Sequence, residues 1–342
     1  MLLGLLAAVA GAAILSQAAD KFVDGAASIA HLLKVSPIVI GAVIIGFGTS
    51  APEMLVSGIA AAGGDGDLGI GNIIGSNIAN LSLILGAAAL LVALRIDSSV
   101  LRREAPLATG SVIVFVLVLQ GGISFVEGLL LLAFMVVGLY LLLTGGNGNA
   151  ALMTELEEEL HDGDGEHDGP IGPLLVTTII GLVGTVGGAW VLVWGATEVA
   201  AALGFNNGFV GLTLVAVGTS LPELVTAATA ARSGHDELIV GNLLGSNIFN
   251  SLGVGAVVGL LGDGVLQDES LAGADSYFML AVCIGVFILM WVREPIDRPE
   301  GVALLIAFGA FLVVTYLAEL DDSAAAIVSA LGDPIRALSG PG

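Results

Sequence analysis

Gly48-Thr49-Ser50-Ala51-Pro52-Glu53 is answered later in the chain by Gly218-Thr219-Ser220-Leu221-Pro222-Glu223. A second phrase follows each copy. Gly71-Asn72-Ile73-Ile74-Gly75-Ser76-Asn77-Ile78-Ala79-Asn80 matches Gly241-Asn242-Leu243-Leu244-Gly245-Ser246-Asn247-Ile248-Phe249-Asn250. Glu223 lies 170 residues after Glu53, and Asn250 lies 170 after Asn80. Two phrases sharing one offset identify an internal duplication.

Both copies sit in apolar sequence. Of 342 residues, 56% are hydrophobic and only 12% charged, with a mean hydropathy of +1.01. A soluble domain carries about twice that charge. The apolar residues form runs of roughly 17–25, enough to cross a hydrocarbon core as helices, and so exclude a water-soluble enzyme. Ten spans are read, at about 2–19, 36–62, 68–94, 106–120, 122–144, 171–197, 207–231, 237–262, 272–292 and 301–319. Most of the 50 glycines fall inside these runs, where small residues let helices approach closely. Gly71, Gly75, Gly241 and Gly245 form small-xxx-small pairs, predicted to bring spans three and eight together.

Ser16-Gln17-Ala18-Ala19 has the look of a signal cleavage site, but no basic residue precedes the apolar run, so the first span is expected to be retained. Cys283 is the only cysteine and forms neither an internal disulfide nor a multi-cysteine metal site.

Basic residues set the orientation. Lys21, Lys34, Arg95, Arg102, Arg103, Arg232, Arg293 and Arg298 all fall on one side of a ten-span arrangement, and only Arg336 falls on the other. The positive-inside rule then places both termini outside. The copies are five spans apart, and an odd number of crossings reverses direction. The expected fold is therefore an all-α polytopic membrane protein of ten transmembrane helices in two inverted five-helix repeats. The first repeat is 1–144, with its motif at 46–86. An acidic cytoplasmic linker follows at 145–170. The second repeat is 171–319, with its motif at 216–256, and 320–342 form a C-terminal tail. Inverted repeats suit alternating access, because exchanging the conformations of the halves turns an inward-facing state outward.

The formal net charge of −22 is carried largely by loops, notably 155–168, with Asp65, Asp67, Asp263, Asp268 and Glu269 elsewhere. With two lysines in the chain, this resembles adaptation to high salt, and it disfavours nucleic acid as a partner. The cluster at His161, Asp162, Asp164, Glu166, His167 and Asp168 lacks the EF-hand pattern and reads as a solvated linker. No HExxH, P-loop or nucleophile elbow is present.

Glu53 and Glu223 lie well inside apolar helices, where an ionised carboxylate costs several kcal/mol. No Lys or Arg lies in any intramembrane motif, so both glutamates are read as facing a cavity, an ion or a proton. Uncharged oxygen donors surround them: Thr49, Ser50 and Ser76 in one copy, Thr219, Ser220 and Ser246 in the other, with the amides of Asn77, Asn80, Asn247 and Asn250. Pro52 and Pro222 cannot donate to the carbonyls of Gly48 and Gly218, which leaves those oxygens for an ion. Hard oxygens without His or Cys suit Ca²⁺ or Na⁺; two carboxylates neutralise one Ca²⁺, and Mg²⁺ fits less well because it sheds water reluctantly.

In these paired motifs the chain resembles the sodium/calcium exchanger family of the calcium/cation antiporter superfamily, prokaryotic type. The resemblance implies a central diamond of cation sites made by spans two, three, seven and eight. Carried onto matching positions, it assigns carboxylates to Glu53 and Glu223 and hydroxyls to Ser50, Ser76, Ser220 and Ser246. Backbone carbonyls would come from Gly46, Thr49, Ala216 and Thr219, with Asn80 and Asn250 bordering the centre. It also implies that spans one and six slide as a gating pair. Relatives often carry Asp where this chain has Asn250, so the site holds one fewer titratable charge. Proton-coupled relatives tend to carry a further acid in the GN-x-x-GSN stretch, and its absence favours sodium.

The expected function is a secondary antiporter of the cell membrane, exchanging Na⁺ for Ca²⁺ by alternating access, with calcium extruded as sodium enters. No cofactor is expected, and the partners are the two ions and the bilayer. A calcium/proton antiporter using the central glutamates as proton carriers is the alternative; a channel and a membrane-embedded enzyme fit the repeat and the motifs less well.

Overall fold

A computed structural model describes residues 1–32, 50–96, 100–144, 171–233, 236–293 and 295–338. Gly46, Gly48, Thr49, Lys34 and the acidic linker at 145–170 lie outside the described residues.

Helix α1 spans Leu2–Leu32 and α2 spans Ala51–Ala62. Helix α3 runs through Gly66–Leu91, with a π-helical middle at Ala79–Ile84. Helix α4 (Ala105–Leu119) is entered through a π turn at Val100–Glu104, and α5 is Phe125–Thr144. Helix α6 is Ile171–Leu203. Helix α7 runs through Asn207–Arg232 and is interrupted at Ser220, between Ala216–Thr219 and Leu221–Ser233. Helix α8 starts as Asp236–Ile248, passes through π-helical Phe249–Val254 and ends as Gly255–Leu261. Helix α9 covers Leu271–Val292 and α10 covers Arg298–Leu338. Among the described residues the other pairing is one isolated bridge, Leu94 with Ile296.

Eight of these helices are long and apolar enough to cross a membrane: α1 over Leu2–Phe22, α3, α5, α6, α7, α8, α9, and α10 over Arg298–Asp321. The described part of α2 has 12 residues, and α4 has 15. Two helices outrun the reading from sequence. Helix α1 continues past 19, and α10 continues to Leu338 through the segment expected to be a tail. Hydropathy falls at Asp20 and at Asp321-Asp322, but Ala26, Ala27 and Ala30 in α1 and Ala324, Ala325 and Ala326 in α10 keep helix propensity high just beyond both points.

The duplication is carried into local structure. Gly66–Ile78, Ala79–Ile84 and Leu85–Leu91 of α3 recur 170 residues later as Asp236–Ile248, Phe249–Val254 and Gly255–Leu261 of α8. These two helices form the centre. Their spanning windows are 83% buried, against 22–33% for α1, α5, α6, α9 and α10. The peripheral helices are apolar all round and leave side chains such as Leu117, Val126, Trp190 and Val314 exposed, as a lipid-facing surface requires.

Backbones approach most closely at glycine. A Cβ on Gly71 would lie 2.4 Å from the Gly208 carbonyl oxygen, and one on Gly75 would lie 2.2 Å from that of Leu212. This corrects the expected partner: the small-residue stripe of α3 packs on α7, not on α8. Gly245 has nothing within 4 Å among the described residues, and Gly241 meets only Glu104 at 3.5 Å. Spacing shows that a face is flat but not which helix lies on it. Gly11, Gly188 and Gly195 likewise join α1 to α6, with notional Cβ atoms 2.5 Å from Leu192 N, 2.6 Å from Leu15 N and 2.4 Å from Ala8 N.

Contacts between helix ends gather the loops into two groups. In one, Asn207 Nδ2 donates to Asp65 Oδ2 at 2.8 Å, and the Gln267 and Asp268 amides donate to Asp67. There too, Gln120 donates to the Ala272 carbonyl, and Glu319 accepts from Asn206. In the other, Leu94 and Ile296 exchange backbone bonds of 2.8 and 3.0 Å, and Arg103 donates to the carbonyls of Leu141 and Leu142 near the end of α5. Asp65 and Asp67, expected as solvated loop charges, are structural here. Asp65 caps α3 by accepting from Leu68 N, and Asp67 is 8% exposed.

Candidate functional site

Each motif begins its helix at the same point. Ser50 has φ −94° and ψ 6°, and Ser220 has φ −84° and ψ 9°, so both leave helical geometry. Proline two residues later supplies no N–H and carries a φ already suited to a first turn, so the helix starts there without loss. Glu53 and Glu223 therefore fall in the first turns of α2 and of the second half of α7, where unpaired N–H groups and the helix dipole favour negative charge.

Both carboxylates are buried, Glu53 at 0% and Glu223 at 1% exposure. None of their four oxygens has a hydrogen-bond partner among the described residues. Thr219 and Ser220 approach Glu53 without reaching hydrogen-bond geometry, and Glu223 lies within electrostatic reach of Glu53 and of Asp20 on α1.

Other buried polar atoms share this condition. Ser50 Oγ, Ser220 Oγ, Asn77 Oδ1, Asn80 Oδ1, both amide atoms of Asn250 and Ser251 Oγ lack partners among the described residues. Each buried unsatisfied group costs about 1–3 kcal/mol, so a fold does not collect them without a ligand to satisfy them. Oxygens predominate, and the set fits a hard cation. Among the described residues no three His, Cys, Asp or Glu side chains converge.

The remaining expected residues are buried but engaged. Thr219 Oγ1 donates towards Asn72 Oδ1 at 3.1 Å and the Ala216 carbonyl at 3.2 Å. Ser76 Oγ lies 3.5 Å from Asn72 Oδ1 and 3.4 Å from Thr219 Oγ1. Asn80 Nδ2 donates to Asn247 Oδ1 at 3.0 Å, while Asn247 Nδ2 donates to the Asn77 carbonyl and Asn77 Nδ2 to that of Ile73. Ser246 is 2% exposed. The Ala216 carbonyl, expected to be open to an ion, accepts from Ser220 N as well as Thr219. Asn80 and Asn250 both sit in the π-helical segments, a deformation common at functional sites. Among the fully buried polar residues that reading from sequence passed over are Ser57, Asn72 and Ser251. Asn72 stood inside the quoted motif, but Ser57 and Ser251 align with Ala227 and Leu81, so the duplication gave no signal for them.

A family model described as sodium/calcium exchanger protein matches residues 3–144 and 173–317. The chain belongs to the sodium/calcium exchanger family. This exchanger is 31% identical over 342 residues to the sodium/calcium exchanger MaX1 of Methanosarcina acetivorans, covering 90% of this chain and 96% of that one. It is 37% identical over 316 residues to CaxA of Alkalimonas amylolytica, covering 90% and 97%. The structure of the sodium-calcium exchanger NCX_Mj soaked with 2.5 mM Na⁺ and 1 mM Sr²⁺ aligns with a TM-score of 0.61 at 28% identity, covering 92% of this chain and 98% of that one. The exchanger is a multi-pass membrane antiporter and not an enzyme.

Proposed function

We propose that this exchanger moves Ca²⁺ against Na⁺ across the cell membrane by alternating access, at a site centred on Glu53 and Glu223. The observation that carries the reading is the set of buried oxygens without partners among the described residues, on Glu53, Glu223, Ser50, Ser220, Asn77, Asn80, Asn250 and Ser251. Two carboxylates balance one Ca²⁺, and neutral hydroxyl and amide oxygens complete its shell. Na⁺ competes for overlapping oxygens. With no cation bound, two ionised carboxylates in one dry site repel each other and resist occlusion, so the empty carrier crosses poorly and exchange is enforced. The ion-soaked structures of NCX_Mj concern ion exchange and binding-site occlusion in that protein, and the likeness supports the same cycle here.

The proposal includes ten crossings in two inverted repeats with both termini outside. Three observations support it. The two loop groups alternate along the chain, with the ends of α2, α4, α6 and α8 in one and those of α3, α5 and α9 in the other. The end of α2 meets the start of α7 through Asp65 and Asn207, so the two copies of the glutamate helix run in opposite directions. The α3–α8 correspondence extends over every segment of both helices.

The test is ⁴⁵Ca²⁺ uptake into proteoliposomes loaded with Na⁺, with K⁺-loaded and proton-gradient controls. Uptake is expected only with internal Na⁺, and to be lost in Glu53→Gln and in Glu223→Gln. Uptake driven by a proton gradient without Na⁺ would instead establish calcium/proton exchange. Uptake indifferent to both substitutions would place the site elsewhere.

A further inference from the structure

Asn72 is fully buried, belongs to no expected ligand set, and makes a directional hydrogen-bond chain. Ser57 Oγ donates to the Gly69 carbonyl at 3.1 Å, which spends its single hydrogen and leaves its oxygen as an acceptor. Asn72 Nδ2 donates to that oxygen at 2.9 Å. The amide is thereby fixed one way round, with Oδ1 turned towards Thr219 and Ser76. An amide oxygen only accepts, so it draws the Ser76 hydrogen towards itself and shares the single Thr219 hydrogen with the Ala216 carbonyl at 3.2 Å, leaving the lone pairs of both hydroxyls for other neighbours.

We infer that Asn72, locked by Ser57, is a positioning residue that orients the Thr219 and Ser76 hydroxyls as cation acceptors and so sets the affinity of the exchanger for its ions. This rests on the cation site proposed above. If the amide turned over, Nδ2 would face the hydroxyls. Their oxygens would accept from it, and their hydrogens would point away from Asn72, which disfavours a cation. The chain also ties three elements together. Ser57 lies one turn beyond Glu53 on α2, Asn72 and Ser76 lie on α3, and Thr219 precedes the break in α7. The duplication does not copy the lock, because Ala227 stands 170 residues after Ser57 and has no hydroxyl. The first half of the site is oriented by a device that the second half cannot build from the matching position.

Ser57→Ala is the decisive variant, because among the described residues Ser57 is bonded to the site through Asn72. Equilibrium ⁴⁵Ca²⁺ binding to the full chain in detergent, Na⁺ competition against it, and the thermal midpoint would be measured for wild type, Ser57→Ala, Ser57→Thr and Asn72→Ala. We expect Ser57→Ala to weaken Ca²⁺ binding by about tenfold, the scale of one misdirected buried hydrogen bond. Ser57→Thr, which keeps the hydroxyl, restores binding, and maximal transport changes by less than about twofold in each Ser57 variant. Wild-type Ca²⁺ and Na⁺ affinities in Ser57→Ala would overturn the inference, as would a loss of binding that Ser57→Thr does not restore. Should Asn72→Ala fail to fold, the two Ser57 variants decide alone. Failure of the proposed function is separable: wild type would then bind no Ca²⁺ or transport it without Na⁺, whatever Ser57→Ala does.

Discussion

Replacing Gly75 by Ala tests how closely the site depends on the α3–α7 contact. The added Cβ would lie 2.2 Å from the Leu212 carbonyl oxygen, 2.6 Å from Ala216 Cβ and 2.8 Å from the Leu212 carbonyl carbon. Ordinary contact begins near 3.4 Å, so the helices must separate by about 1.2 Å. Two of the three obstacles are backbone and cannot rotate away. Ser76 is the next residue on α3, and Thr219 lies two turns beyond Leu212 on α7. A retreat of that size takes the 3.1 Å bond from Thr219 to Asn72 out of hydrogen-bond range. Overpacking costs about 1–3 kcal/mol and the lost bond about 1 kcal/mol more, so Gly75→Ala is expected to destabilise by roughly 2–4 kcal/mol. It should also weaken Ca²⁺ binding. The assay is thermal unfolding of the purified exchanger in detergent beside ⁴⁵Ca²⁺ binding. Gly285→Ala serves as control, since a Cβ on this exposed glycine meets nothing within 4 Å among the described residues. Equal midpoints and equal Ca²⁺ affinities for Gly75→Ala and wild type would refute the reasoning.

Three further outcomes are expected. Burial raises the Asp65 carboxyl above 3.8, with hydrogen bonds from Leu68 and Asn207 offsetting part of the rise and Asp67 adding to it. A raised carboxyl favours the fold at low pH and loses that contribution as pH climbs through its folded value, so Asp65→Asn, which keeps the cap acceptor, should match wild type near about pH 4 and melt higher at about pH 8. Asn250→Asp adds a titratable carboxyl among the buried oxygens, and Ca²⁺ affinity measured against pH should then depend more steeply on pH than in wild type. Gly188→Ala pushes a Cβ to 2.6 Å from Leu15 N and should lower the thermal midpoint by the equivalent of about 1–3 kcal/mol through loosening of α1 against α6.

Duplication made part of the proposed site legible and concealed the rest. Glu53 with Glu223, Ser50 with Ser220, and Asn80 with Asn250 stand in matched phrases, and all are buried with polar atoms unpartnered among the described residues. Ser251 has the same character, but Leu81 stands in its matching position, so a search for copies passes it by. Ser57 and Asn72 act through hydrogen-bond direction, which composition does not encode. Hydropathy found the long helices but ended the first and tenth spans at 19 and 319, whereas α1 and α10 continue further as helix. Gly71 and Gly75 announced a close approach, yet the choice of α7 over α8 is a property of the three-dimensional arrangement. Asp65 and Asp67 look like surface charge until Asn207, Gln267 and Asp268 are brought to them from distant loops.

Helices α1 and α6 are 31 and 33 residues long. At 1.5 Å per residue they extend about 46 and 50 Å, well beyond a hydrocarbon core of about 30 Å. Each must lean or protrude, and the lean grows as the bilayer thins. Helices α3 and α8 are shielded from lipid, whereas the α1–α6 pair is largely bathed in it and also packs against α2 and α7, which carry the two glutamates. A change in lipid thickness is therefore expected to reach the helices that carry the glutamates through the tilt of this glycine-welded pair.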